Sequence, residues 1–220
     1  EIMSSDWSSD VCSSDLDEPE HNLDGFVLRP VTSPATRVAA LLSGEIEFTN
    51  DAPVQDLPRL EAAPNVNVLE GVDLRTVMVG FPFRETLVSG EPNPFTDRAV
   101  REALYKAIDL DLIHERIMRG KSRIAGAVVA PPIPGYSEDL DTTPEYDLEG
   151  ARALLAEAGV PEGLAFEFNC LSDGLVNEEQ FCQAIASMWS RLGLSPQLDV
   201  APRAVQSLIN DGAPTEVYTL

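Results

Sequence analysis

Asn93-Pro-Phe-Thr-Asp-Arg-Ala-Val-Arg-Glu-Ala-Leu-Tyr-Lys-Ala-Ile-Asp109 opens a run, Asn93 to Gly163, that carries three helix signals in order. Between Asp97 and Ile108 the apolar residues Val100, Ala103, Leu104, Ala107 and Ile108 recur at helical spacing, with Asp97 as N-cap. Asp109 caps a second predicted helix carrying Ile113, Ile117 and Met118, which Gly120 ends. The turn-rich run Ala130-Pro-Pro-Ile-Pro-Gly-Tyr136 follows. Asp147 then caps a third helix, with Ala151, Leu154, Leu155 and Ala158 inward, and Gly159 and Pro161 stop it.

Toward the C-terminus, Leu164 to Cys170 alternates as a strand. Asn177, with Gln180 three residues on, has the pattern of a capping box ahead of a helix. Phe181, Ile185, Met188, Trp189 and Leu192 form one stripe of that helix, which Gly193 ends; helical spacing reads the stripe as core rather than as a ligand box. Leu194, Leu198 and Val200 mark a second strand. Val205, Leu208 and Ile209 mark a short helix ended by Gly212, and Glu216 to Leu220 a third strand. Strand, helix, strand, helix, strand implies parallel crossovers and an α/β class.

Toward the N-terminus, Phe26 to Val31 and Glu45 to Thr49 read as short strands. Between them Thr32 or Ser33 starts a helix with Pro34 in its first turn, Val38, Leu41 and Leu42 apolar, and Gly44 at its end. Gln55 to Ala62 reads as a short helix and Thr76 to Phe83 as an apolar strand, in which Gly80 is either a bulge or a point of close backbone approach. Ser89 to Pro94 is turn-rich and is the candidate domain boundary. Residues 17–22 read as loop. Residues 1–16 repeat Ser-Ser-Asp three times without periodicity, the composition of a disordered acidic tail. Asp6 to Leu16 also reads as one translation frame of a common sequencing-library adapter. Residues 1–16 therefore read as non-native and outside the fold.

The chain of 220 residues carries a net charge of −22, about −18 without that tail, which disfavours nucleic acid and anionic membrane as partners. No apolar run approaches the roughly 20 residues that span a bilayer. Apart from Cys12 in the tail, Cys170 and Cys182 form an even pair that suits an oxidising compartment; a disulfide and two buried thiols are both open readings. His21 and His114 stand in polar settings, and no Gly-x-Ser-x-Gly, metal-spaced His pair or Gly-rich phosphate loop occurs. The residues therefore offer no catalytic or metal site and imply no cofactor. In open α/β sheets ligands sit beyond the carboxyl ends of the strands. That rule points to the loop Asn169 to Gly174, where Asn169, Ser172 and Asp173 are candidates, although Ser172 and Asp173 also suit a plain turn.

The ordered set of Pro94-Phe95-Thr96-Asp97-Arg98-Ala99-Val100-Arg101, Pro131-Pro132 to Pro134-Gly135-Tyr136, and Tyr146-Asp147 to Ala156-Glu157-Ala158-Gly159 resembles the extracytoplasmic solute-binding proteins of ABC transporters. The family concerned is the peptide, dipeptide and nickel-binding family, family 5. Ser33-Pro34-Ala35-Thr36-Arg37, Ala40-Leu41 and Ser43-Gly44-Glu45-Ile46-Glu47 match a second signature of that family.

The resemblance implies a two-lobed periplasmic-binding-protein fold, type II and cluster C-like, incomplete here. Residues 17–92 would be a partial first lobe and 93–220 a second α/β lobe truncated at its C-terminal end, with a signal peptide missing. It implies non-catalytic binding of a peptide-like solute, periplasmic or extracellular and membrane-anchored, and delivery to permease subunits. It puts Met78, Gly80 and Phe81 beside the ligand cleft, adds Thr219 on the last strand, and favours a Cys170–Cys182 disulfide. The family's Gly-Trp-x-x-Asp segment, which holds a peptide's amino terminus, has no counterpart in this sequence. Nickel, sugar or opine solutes are alternatives within the family; a hydrolase or a sensory ligand-binding domain are alternatives outside it.

Overall fold

Four short polar side chains start four helices by one device, an oxygen that accepts a backbone N–H left free in the first turn. Ser33 Oγ accepts from Thr36 at 3.3 Å and opens α1 (Pro34–Ser43), which ends at Gly44 with φ of 76°. α2 (Leu57–Glu61) and the two-residue strand β1 (Val79–Gly80) follow. Asp97 Oδ1 accepts from Ala99 at 2.8 Å to open α3 (Arg98–Lys106). Asp109 Oδ1 accepts from Leu112 at 2.9 Å to open α4 (Leu110–Leu112), and Asp147 Oδ1 from Gly150 at 2.8 Å to open α5 (Leu148–Glu157). Then come β2 (Ala165–Leu171), α6 (Glu178–Ser190), β3 (Ser195–Ala201) and β4 (Val217–Thr219). The computed structural model describes residues 25–71, 73–203 and 216–219. The chain divides into two compact units, residues 1–31 and 32–220, and all of these elements belong to the second.

The strands form one sheet in the order β1-β4-β2-β3. β2 runs parallel to both neighbours, and β1 closes antiparallel onto β4. Parallel neighbours need a crossover, and α6 supplies the one between β2 and β3. Pro196, which has no N–H to give a ladder, lies in β3 at the edge of the sheet, where that loss is tolerated.

Alternation along β2 turns Phe166, Phe168 and Cys170 toward α6. Trp189 is fully buried against Phe166 and Phe168, with ring centroids 5.9 and 4.9 Å away, and its Nε1 donates to the Leu104 carbonyl at 3.0 Å. One indole thus joins sheet, α6 and α3. Phe95 and Phe81 extend the aromatic cluster, and α5 packs on α3 with Ala151 and Leu155 buried. Cys170 and Cys182 are joined as a disulfide with Cα atoms 6.6 Å apart, fastening β2 to α6 inside this core.

Where the fold departs from expectation, the cause is mostly a missing neighbour. Strand N–H and C=O groups must bond to another strand, whereas a helix satisfies its own. Phe26 to Val31 and Glu45 to Thr49 carry no strand, and among the described residues no strand lies beside them. The strand expected over Thr76 to Phe83 narrows to Val79–Gly80, the two residues that meet β4. The helix expected beyond Asp109 becomes α4 followed by a wider π-helical turn, Ile113–Ile117. Met118 N–H bonds to the Ile113 carbonyl there, and the chain leaves through Arg119 and Gly120, both at positive φ, with Ile113 and Ile117 still against the core. Asn177 does precede α6, but in the left-handed region with φ of 57° and without a capping bond; its Nδ2 donates to the Ile117 carbonyl at 2.9 Å instead. The helix expected around Val205, Leu208 and Ile209, with its Gly212 stop, lies outside the described residues, as do residues 1–22.

Candidate ligand-binding site

The register of the sheet places Gly80, Tyr218, Asn169 and Asp199 in one row across all four strands. Because alternation sends Phe168 and Cys170 to the helix side, Asn169 and its row occupy the opposite face. A Cβ on Gly80 would stand 2.6 Å from Tyr218 Cζ. Glycine is therefore what lets the tyrosine ring lie against the β1 backbone. Asn169 is only 4% exposed, and among the described residues its Nδ2 has no hydrogen-bond partner. A buried amide donor left unpaired costs about 1–3 kcal/mol, so its presence in the middle of a sheet needs a reason.

Two buried glutamates hold the ends of the short strand β4. Glu216, just before it, accepts from Val88 N and Glu167 N at 2.5 Å each, tying the Thr86–Pro92 loop to β2. Glu178, at the first position of α6, accepts from Leu171 N at 3.1 Å, Leu175 N at 2.8 Å and Thr219 Oγ1 at 2.6 Å. A side chain on Gly174 would overlap that carboxylate. The loop after β2 is thus wrapped around the Glu178 carboxyl group, a second reason for Asn177 not to cap α6.

The candidate residues divide accordingly. Gly80 and Asn169 share the row. Ser172 and Asp173 are exposed and hold the loop to β3, through Ser172 N–H to the Ala201 carbonyl at 3.0 Å and Arg203 N–H to Asp173 Oδ1 at 2.7 Å. Thr219 is buried on the Glu178 latch, and Phe81 stacks on Phe95 at 5.4 Å, joined to the core. Met78 is half-buried just ahead of β1. Tyr218, Glu178 and Glu216 had no local signal; only the pairing of β4 between β1 and β2 brings them together. The approach to α5 is organised by Asp141, which accepts from Tyr136 Oη at 2.8 Å, Gly126 N at 2.6 Å, Ala127 N at 2.9 Å and Arg123 Nη2. The Arg123 guanidinium, then the Tyr136 hydroxyl and the Gly126 N–H, hold its carboxyl well below the usual carboxylate range.

His114 Nδ1 lies 3.0 Å from Ser122 Oγ. Among the described residues no three His, Cys, Asp or Glu side chains stand close enough to hold a metal, and no helix is long and apolar enough to cross a membrane.

The family profile "Bacterial extracellular solute-binding proteins, family 5 Middle" matches residues 7–215. Heme-binding protein A of Haemophilus influenzae is 30% identical over 175 residues, 78% of this chain and 30% of that protein. The glutathione-binding protein GsiB of Salmonella choleraesuis is 31% identical over 143 residues, 65% of this chain and 26% of that one. Among solved structures, the periplasmic binding protein DppA of Helicobacter pylori in complex with the peptide STSA superimposes with a TM-score of 0.74 at 23% identity, over 88% of this chain and 36% of that one. The chain thus spans about a third of the length of such relatives or less.

Proposed function

The chain belongs to the bacterial extracellular solute-binding proteins of family 5, and from that membership we propose that it forms part of a non-catalytic receptor for a peptide-like solute. The receptor works outside the cytoplasm, in the periplasm or tethered at the cell surface, and hands its solute to the permease subunits of an ABC transporter. Residues 17–92 contribute to the first lobe and 93–220 to the second, while residues 1–16 stand outside both. The lobes close on the solute by hinge motion.

The observation that carries the reading is the row Gly80–Tyr218–Asn169 on the face of the sheet away from α6. It supplies an aromatic surface and a shielded amide donor without a partner among the described residues. A mostly apolar surface with a few placed polar groups is what small-solute sites use. Met78, beside it, extends the apolar part; Ser172 and Asp173 rim the carboxyl end of β2.

A second reading, heme, is favoured by the Haemophilus relative's 30% identity over most of this chain. Thermal shift on the full-length protein separates the two. Tri- and tetrapeptides are expected to raise its melting temperature in a concentration-dependent way, and substitution of Asn169 by Ala to weaken them about tenfold. A shift with heme, accompanied by a Soret band on the purified complex and none with peptides, overturns the peptide reading.

A further inference from the structure

Arg84 follows β1 by four residues, on a segment whose backbone is fixed. Asn93, itself only 5% exposed, donates through Nδ2 to the carbonyls of Pro82 at 3.0 Å and Arg84 at 2.9 Å. The guanidinium at the end of that fixed backbone is not matched. Its Nε and Nη2 are shielded from solvent, and among the described residues no protein atom accepts from either. Those two atoms form one edge of the guanidinium fork, whose parallel N–H groups match the two oxygens of a carboxylate. Arginine, unlike lysine, cannot meet burial by giving up its proton, so a shielded arginine edge calls for an anion.

The chain is not short of anions, with 37 Asp and Glu against 15 Lys and Arg. Yet the buried carboxylates on these elements are engaged elsewhere, Glu216 by Val88 and Glu167 and Glu178 by Leu171, Leu175 and Thr219. A second cation of this region, on α3, is committed within the protein. Arg101 lies over the Phe83 ring at 5.3 Å and donates to the carbonyls of Phe95 at 2.7 Å and Thr96 at 3.0 Å. An acidic chain whose described residues leave the Arg84 fork unpaired, beside the strand that carries Gly80, reserves it for a carboxylate from outside.

We infer that Arg84 is a recognition residue for a carboxylate of the bound solute, so that the solute is an acid and the fork sets specificity against its neutral analogues. This rests on the solute-binding reading above and narrows it. The same chemistry could come from an acidic side chain elsewhere in the longer protein, and the test separates the two sources.

The full-length protein is titrated by calorimetry with two matched pairs of probes, Ala-Ala-Ala and its C-terminal amide, and succinate and succinamide. Wild type is expected to bind the acid of at least one pair ten times or more tighter than the amide. Arg84→Lys and Arg84→Gln are expected to lose that preference while their unliganded melting temperatures stay within about 2 °C of wild type. Equal affinity for acid and amide, or a preference that survives in Arg84→Lys, overturns the inference, as does silence from both acids. Variants that melt much lower yet keep the preference assign the fork to an internal acid, also against it. If neither variant folds, the wild-type ratio of acid to amide decides alone. Trialanine bound as well as its amide removes Arg84 but keeps a peptide solute; succinate bound with trialanine silent keeps Arg84 but removes the peptide.

Discussion

Residues 32–78 and residues 93–201 both begin with a well-capped helix, and there the likeness ends. The later region gathers Phe95, Leu104, Phe166, Phe168, Trp189 and their neighbours into one buried cluster. The earlier one buries Val38, Ala40, Val54 and Leu60 among its described hydrophobic side chains, and none of them joins that cluster, while Phe48 and Leu69 remain more than 80% exposed. The caps Ser33 and Asp97 are chemically alike and both form their bonds. What separates the regions is the sheet. β2 in the later region has a strand on each side, and its inward residues find α6. Glu45 to Thr49, expected to be a strand in the earlier region, has none beside it among the described residues and stays irregular. A helix can be written into twelve residues; a strand is a statement about residues elsewhere.

Cutting each region at its centre should have unequal consequences. Trp189→Ala removes the indole that joins β2, α3 and α6, and is expected to cost about 3–5 kcal/mol and to shift the main urea transition accordingly. Leu60→Ala, at a site equally buried but outside the large cluster, is expected to leave that transition in place. Its effect should appear only as faster amide exchange in α1 and α2. A Leu60→Ala shift as large as that of Trp189→Ala would mean that the two regions melt as one body and that the contrast has no energetic content.

Next in size is the disulfide. Cys170 and Cys182 lie 12 residues apart in sequence, and closing a loop of that length contributes about 2–3 kcal/mol by restricting the unfolded chain. The double variant Cys170→Ala/Cys182→Ala should lower the urea midpoint of residues 93–201 by that amount and leave α1 exchange unchanged. The Glu178 latch comes below it. Glu178→Ala leaves the N–H groups of Leu171 and Leu175 and the hydroxyl of Thr219 without their acceptor, at an expected cost of about 1–3 kcal/mol. Faster exchange at Leu171 and Leu175 should accompany it, and unchanged exchange there would show that the latch follows the loop rather than holding it.

How much of this could be read in advance follows the same division. The starts at Ser33, Asp97, Asp109 and Asp147 are legible because cap and amide lie within three residues of each other. The stripe Phe181, Ile185, Met188, Trp189 is legible because helical periodicity is local, and β2 because alternation is. Asn177 misled because its neighbour Glu178 draws the backbone N–H groups of the preceding loop to itself, an arrangement that also needs Gly174 and Thr219. The site was legible only in part. Asn169 could be placed from the end of a strand, but the stacking of Tyr218 on Gly80 requires β4 to insert between β1 and β2. The unmatched edge of Arg84 is a property of burial, which no spacing encodes.

The smallest expected effect contrasts two aspartates, one in each region. Asp73 pairs with Arg75, but both side chains are about half exposed, and solvent screens such a pair to little net worth. Asp141 pairs with Arg123 in the irregular segment before α5, yet its side chain is only 2% exposed and also collects the Tyr136 hydroxyl and the Gly126 and Ala127 amides. Both carboxyls are held below the ordinary value near 3.9, so each favours the folded chain in full above that value and loses its contribution as the pH falls below it. The loss should differ in consequence. Between pH 5 and pH 2.5, corrected for intrinsic rates, the protection of the Gly126 and Ala127 amides is expected to fall in wild type. In Asp141→Asn it should already be low and nearly flat with pH. Asp73→Asn should leave every amide of the later region as it was. A wild-type profile as flat as that of Asp141→Asn would show that the segment is held by its backbone turns and not by the carboxylate.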